Sequence, residues 1–309
     1  MINPKLIDKK NWEEHYIKKG DPTKPTYYIC RRKFKVTGLF SRYRLMMGHV
    51  RHALSNGWIP VIDMQNYSNA YLAPEKEGKE NSWEYYFEQP MRVGLEEAYN
   101  GENIILSNGD HVDPYPGHGL DFLYGKNDSL AEWRGLVKAG FMKVKPERME
   151  EILETHKKLF SPEDRVLGVL LRGTDYVVRK LPGHPIPPSI ELALSTVTKK
   201  LQEWNCNKIF LATEDKSIVE RFKENFGEQC AILDRVYVDY NPETDKSVAM
   251  SRIDRENDQF IQGKDYLTQM MLLTMCKSFV AARCGGTTSV AIMGENFEHT
   301  YFFNLGRYT

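Results

Sequence analysis

What most limits the fold is an alternation that runs through the second half of the chain. From about residue 160, short apolar runs are separated by stretches whose apolar residues recur at helical spacing. The runs are "VLGVLLR", "NKIFLATED", "AILD", "SFVAA" and "HTYFFNL". Between the first two, Ile190, Ala193, Leu194, Val197, Leu201 and Trp204 mark one face of a helix entered through Pro187 and Pro188. Ile218, Val219, Phe222 and Phe226 mark the next helix, which Gly227 stops. "GKDYLTQMMLLTMCK" reads as a mostly apolar helix, and "CGGTTSVAIMG" as a glycine turn into another. Continuous apolar runs suit strands covered on both faces, so the pattern predicts an α/β fold with a doubly wound parallel sheet.

The first half repeats the pattern once. "TYYICRRKFKV" reads as extended, Gly38 opens a turn, and Tyr43, Met46, Met47, Val50 and Leu54 recur at helical spacing, with Ser41 suited to the N-cap. Asn56-Gly57 ends that helix, "WIPVIDMQ" gives a second strand, and "NIILS" gives another. A chain of 309 residues exceeds what one hydrophobic core serves. Two Rossmann-like domains are therefore expected, over residues 1–145 and 146–309.

Charge narrows the partners. Lys plus Arg and Asp plus Glu are each 42, so no overall field draws the chain to nucleic acid. The N-terminus has no apolar core of a signal peptide and no stretch approaches the roughly 20 apolar residues of a membrane span, which points to a soluble, cytoplasmic protein. The five cysteines have no metal-type spacing and read as buried free thiols.

Ligands of a doubly wound sheet bind outside the carboxyl ends of its strands. Three polar clusters fall there: Arg172-Gly173-Thr174-Asp175, Ala212-Thr213-Glu214-Asp215 and Gly285-Gly286-Thr287-Thr288-Ser289. The third resembles an anion cradle, with glycines admitting a phosphate to backbone N–H groups and hydroxyls adding donors. Arg172 adds a fork of donors suited to phosphate oxygens. Together they suggest a diphosphate. Singly, each has a structural explanation: an Arg172–Asp175 ion pair, an Asp215 helix cap, a tight glycine turn.

These residues carry a resemblance. "LLRGTDY" followed by "GHPI", then "FLATED", "ILD" and "SFVAARCGGTTS", resemble the ordered motifs of the fucosyltransferase superfamily. That superfamily holds the α1,6-fucosyltransferases, the nodulation fucosyltransferases and, more distantly, the protein O-fucosyltransferases. "GLFSRYRLMMGHVRHALSNGWIPVID" is similar, more weakly, to its first strand-helix-strand. The resemblance implies a GT-B fold, two Rossmann-like domains facing across a cleft, and inverting transfer of a sugar, fucose from GDP-fucose above all, to a glycan acceptor. It implies no metal and no cofactor beyond the donor, and the chain has no D-x-D triplet. The protein would be peripheral at a membrane if the acceptor is lipid-linked.

Carried over by position, the resemblance makes Arg172 the contact to the β-phosphate and Asp234 the acidic residue that recognises guanine. His184 keeps the family's spacing from Asp175. Thr213, Glu214, Asp215 and residues 285–289 fall on the donor side, with Gly38, Ser41 and Arg42 on the acceptor side. Trp83, Tyr86 and Glu88, in an aromatic stretch with few periodic signals, are candidates for stacking and contacting an acceptor sugar; packing of an irregular loop against the sheet is the structural alternative. Asp175, Asp63 and Glu88 are candidate general bases. Three positions depart from the family pattern: a histidine is Leu170 here, a second arginine is Gly173, and a carboxylate used as base in some members is Lys180. Those departures leave two alternatives open, a transferase for another nucleotide sugar in surface polysaccharide synthesis and a catalytically silent nucleotide-binding protein.

Overall fold

The computed structural model describes residues 2–116, 129–239 and 253–309, without the side chains of Ser129, Asp175 and Tyr176. Its contacts divide the described residues into two compact units, one drawn from 2–116, 129–149 and 254–264, the other from 150–239, 253 and 265–309.

The first unit holds β1 (His15–Lys18), β2 (Thr26–Cys30), α1 (Leu39–Ser55), β3 (Ile59–Ile62), α2 (Leu95–Asn100), β4 (Asn103–Leu106) and α3 (Ser129–Lys138). Its sheet runs β1-β4-β2-β3, with β2 parallel to both neighbours and β1 antiparallel to β4. The sequence gives little warning of β1, because "HYIK" is a four-residue edge strand with a lysine and no apolar run. Helix α1 begins one turn earlier than its periodicity suggests. Gly38 is the N-cap and Ser41 lies inside the first turn, so the expectation of a Ser41 cap is corrected.

After α4 (Pro146–Leu159), the second unit runs β5 (Val166–Leu170), α5 (Thr174–Arg179), α6 (Ile190–Glu203), β6 (Lys208–Ala212), α7 (Lys216–Phe226) and β7 (Cys230–Ile232). It ends with α8 (Asp258–Thr274), which begins in the first unit's residues, then β8 (Ser278–Ala281), α9 (Gly285–Met293) and β9 (His299–Phe302). All five strands are parallel, in the order β7-β6-β5-β8-β9. Leu167, Val169, Ile209, Leu211 and Val280 meet Ala193, Val197, Leu201, Ile218 and Phe222 in one buried cluster, so one face of the sheet is covered by α6 and α7. On the other face Gly168 makes room for α8: a Cβ there would lie 2.9 Å from Leu273 Cδ2. Ser189 caps α6 by accepting from the Leu192 amide at 3.2 Å. All five cysteines are free and buried, and among the described residues no helix is long and apolar enough to cross a membrane.

Candidate functional site

In the second sheet the chain leaves β5 toward β6 and leaves β8 toward β9. The two connections diverge, and a crevice opens at the carboxyl ends of β5 and β8. Strand register orders the residues there. Ala212, Leu170, Ala281 and Phe302 pair across β6, β5, β8 and β9. Two residues beyond each stand Glu214, Arg172, Arg283 and Asn304. They form a polar row: Arg172 Nε lies 3.3 Å from Glu214 Oε1, and Arg283 Nη1 donates to Asn304 Oδ1 at 3.4 Å.

Glu214 holds more than Arg172. The same Oε1 accepts from the Thr174 hydroxyl at 2.9 Å, and Glu214 is buried. The arginine is thus fixed in direction while 18% of its side chain stays exposed, enough to meet a ligand. The ion pair of Arg172 with Asp175 proposed from sequence cannot be placed, because the Asp175 side chain lies outside the described structure; its backbone belongs to α5.

Asp215 is a structural residue. Its Oδ1 caps α7, accepting from the Ser217 and Ile218 amides at 2.8 and 3.3 Å, while Oδ2 accepts from the Thr174 amide at 3.0 Å. This explains Gly173. A Cβ there would lie 2.1 Å from Asp215 Oδ2, so no side chain fits. Thr213 is buried, its carbonyl accepting from Gln269 Nε2 at 3.1 Å, and Gln269 in turn accepts from Arg235 Nη1 at 3.1 Å.

Residues 285–289 form the first turn of α9, with Cys284 at the N-cap. Only the glycine part of the expected cradle is available. Thr287 donates to the Ala282 carbonyl, Thr288 to the Cys284 carbonyl at 3.4 Å and Ser289 to the Gly285 carbonyl at 3.0 Å, so the hydroxyls point their protons inward. What remains for an anion is the set of amides at the start of the helix. Gly286 is packed: a Cβ would lie 2.9 Å from Met270 Sδ and 3.4 Å from Leu170 Cδ2, which places this turn directly against the end of β5.

Asp234 is exposed, two residues past β7. His184 is half-buried in a loop whose Pro185 pairs antiparallel with Arg307, and its carbonyl accepts from the Tyr308 amide at 2.9 Å. Arg283, Asn304 and Gln269 were not singled out from the sequence. Arg283 sat inside the quoted motif "SFVAARCGGTTS".

The acceptor-side residues differ most from expectation. Trp83 and Tyr86 are fully buried, so they cannot stack on a sugar. Trp83 packs on Phe87 and Tyr43 and donates to the Glu88 carbonyl at 3.0 Å; Tyr86 stacks on Phe260 and donates to its carbonyl at 3.0 Å. Trp83, Tyr86 and Phe87 are part of the buried interior of the first unit. Arg42 is also buried, 1% exposed, and braces the loop before α1 by donating to the Phe34 and Lys35 carbonyls at 2.7 and 3.0 Å. Burial and neighbouring Arg32 push its pKa down to about 9. Glu88 is half-buried, 3.8 Å from Lys143 Nζ. Asp63 cannot act as a base on solvent or substrate. It is buried, its two oxygens accept from the Gln65 and Asn66 amides, the Asn66 side chain and the Tyr99 hydroxyl, and burial raises its pKa. An open groove between α6 and α7, lined by Glu191, Ser195, Lys199 and Asn225, contains none of the candidate residues.

The sequence matches no protein-family model and no curated protein. Its fold matches solved structures at low identity. NodZ α-1,6-fucosyltransferase soaked with GDP-fucose is 15% identical, with a TM-score of 0.51 over 88% of this chain and 93% of that one. POFUT1 in complex with GDP is 12% identical, with a TM-score of 0.53 over 92% and 99%. A variant of Arabidopsis thaliana FUT1 in complex with GDP is 10% identical, with a TM-score of 0.53 over 95% of this chain and 74% of that one. The likeness is one of fold, the GT-B type of α/β architecture.

Proposed function

We propose that this protein is a glycosyltransferase that takes a sugar from a nucleoside diphosphate sugar, GDP-fucose being the best-supported donor, and passes it to a glycan hydroxyl with inversion and without a metal. The observation that carries the reading is Arg172, held by Glu214 just past the end of β5, the strand end against which the first turn of α9 packs. A GT-B fold whose solved neighbours hold GDP or GDP-fucose supports the choice of donor. Asp234, exposed at the same edge, is suited to accept from the N–H groups of guanine.

In the reaction the acceptor oxygen bonds to the anomeric carbon while the bond from that carbon to the β-phosphate oxygen breaks. The electron pair leaves with the diphosphate, and the acceptor hydroxyl gives up its proton to the departing diphosphate or to solvent. Arg172 and the amides of α9 stabilise charge that grows only as the bond breaks, so they bind the transition state more strongly than the ground state. A nucleotide-binding protein without turnover is the second reading. It is favoured by one observation: Asp63, a candidate base, is buried and saturated by four donors.

A thermal-shift panel of GDP, UDP, ADP and CMP tests the reading, since a ligand at 100 times its Kd stabilises by about 2.7 kcal/mol. GDP should give the largest shift, and hydrolysis of GDP-fucose should survive EDTA. No shift with any nucleotide would overturn both readings, turnover strictly dependent on Mg²⁺ or Mn²⁺ would overturn the metal-free mechanism, and binding without turnover of any donor would favour the second reading.

A further inference from the structure

We propose that the first unit carries an anion site of its own in the loop between β2 and α1, where Arg32 and the Thr37 hydroxyl take the carboxylate or phosphate of an acidic acceptor sugar. The site is read from this unit alone; its assignment to the acceptor rests on the glycosyltransferase reading above.

Charge segregation comes first. From Arg31 to Ile62 the chain has the basic residues Arg31, Arg32, Lys33, Lys35, Arg42, Arg44 and Arg51 and no Asp or Glu, although the whole chain balances 42 of each sign. Some of these cations meet carboxylates from elsewhere. Lys33 Nζ lies 3.3 Å from Asp110 Oδ2, and Arg51 pairs with Glu132. Among the described residues, Arg32 and Arg42 have no carboxylate within ion-pair distance. Asp110, whose field also reaches Arg32, is the one already held by Lys33.

Geometry ties the two arginines to one loop. Arg32 Nη1 donates to the Ser41 carbonyl at 3.1 Å, and Arg42 Nη2 donates to the Phe34 and Lys35 carbonyls at 2.7 and 3.0 Å. Each guanidinium thus clasps the loop close to the other in sequence. Those bonds leave donors over: Arg32 Nε, Arg42 Nε and Thr37 Oγ1 are buried atoms with no hydrogen-bond partner among the described residues. Burial and the field of Arg44 lower the pKa of Arg32 to about 10, and burial and the field of Arg32 lower that of Arg42 to about 9. Both therefore stay charged at neutral pH while repelling each other. Buried charge is ordinarily paired, and carbonyl dipoles do not cancel it. An oxyanion supplies both the opposite charge and the acceptor atoms, which a neutral sugar does not.

Placement selects the ligand. The loop follows β2, which is parallel to both of its neighbours, so it stands at the carboxyl end of the first sheet, the edge where such sheets receive ligands. Arg42 remains a brace under the loop and adds charge, whereas Arg32 and Thr37 are half-buried and within reach of a ligand. Phe34, in the same loop, is 56% exposed and offers a ring face on which a pyranose stacks. The donor's diphosphate has Arg172 and the α9 amides in the second unit, which leaves this anion site to the other substrate.

Calorimetric titration of the full-length protein with inorganic phosphate, glucuronate, glucose 6-phosphate and glucose, with and without excess GDP, provides the test. Phosphate and at least one of the two acidic sugars should bind, GDP should not displace them, and glucose should not bind; the tighter acidic sugar names the acid group. Arg32→Gln should weaken the anion by about tenfold to a hundredfold. Thr37→Val removes a hydroxyl that bonds to nothing in the protein, so it should leave Tm unchanged without anion and weaken the anion by about threefold to tenfold, even if Arg32→Gln does not fold. Failure of all three anions to bind, displacement by GDP, or unchanged affinity in Arg32→Gln or Thr37→Val overturns the inference, the last marking an adventitious ion only. Equal binding of glucose and the acidic sugars overturns it too. A protein that binds phosphate at this loop but no nucleoside diphosphate overturns the donor reading while the anion site stands.

Discussion

Gly173→Ala is the smallest perturbation that reaches the candidate site. The added Cβ would stand 2.1 Å from Oδ2, 2.7 Å from Cγ and 2.8 Å from Cβ of Asp215, so the whole carboxylate must move. Asp215 would then lose its cap bonds to the Ser217 and Ile218 amides and its bond to the Thr174 amide. A lost cap costs about 1 kcal/mol. A lost hydrogen bond to a charged group adds about 1.5–3 kcal/mol. The sum is about 2.5–4 kcal/mol, which for a unit of this size lowers Tm by roughly 5–16 °C. Differential scanning calorimetry reads the stability, and nucleotide titration reads the displacement of the Thr174 backbone next to Arg172. A double-mutant cycle isolates the cause. Asp215→Ala alone should cost a similar amount, and adding Gly173→Ala to it should cost less than the two losses summed, because the carboxylate that made the shortest contacts is gone and only the Cβ at 2.8 Å remains. A Gly173→Ala protein with wild-type Tm, or a cycle in which the two losses add, would refute the explanation of this glycine.

Arg172→Lys and Arg172→Ala should both lower kcat for donor turnover by about 10²–10³, because a point charge on a flexible stem does not replace a planar fork at a growing charge. GDP affinity should fall less, and near wild-type turnover in a folded variant, checked by circular dichroism, would reduce Arg172 to the structural partner of Glu214. Asp234→Ala should abolish any preference of GDP over UDP and ADP in thermal shift, weakening GDP by roughly tenfold or more; a preference that persists removes the guanine assignment. His49 is buried, with Nδ1 3.2 Å from the Tyr28 hydroxyl, and burial above all pushes its pKa down from 6.5 to about 3. Below pH 6.5 the unfolded chain therefore binds that proton and the folded one does not, so stability falls as pH drops from 6.5 towards 3, by roughly 2 kcal/mol at pH 5. His49→Leu should flatten this acid limb of Tm against pH, and an unchanged slope would show that other groups set it.

The alternation of apolar runs and amphipathic stretches by itself determined a parallel α/β sheet, because period 2 and period 3.6 are properties of the chain's own spacing. It also located the polar clusters that follow β5, β6 and β8, since whatever follows a parallel strand emerges at its carboxyl end. Nothing in spacing says which strands lie side by side or in what register. Only tertiary structure set Arg172 against Glu214, 42 positions away, and only it made Gly173 obligatory through a carboxylate on the next strand's loop. Burial was equally hidden. Trp83, Tyr86 and Arg42 have the chemistry of ligand contacts, yet the first unit uses the aromatics as core and the arginine as a loop brace, because a segment without strands must still bury its apolar area and satisfy its carbonyls.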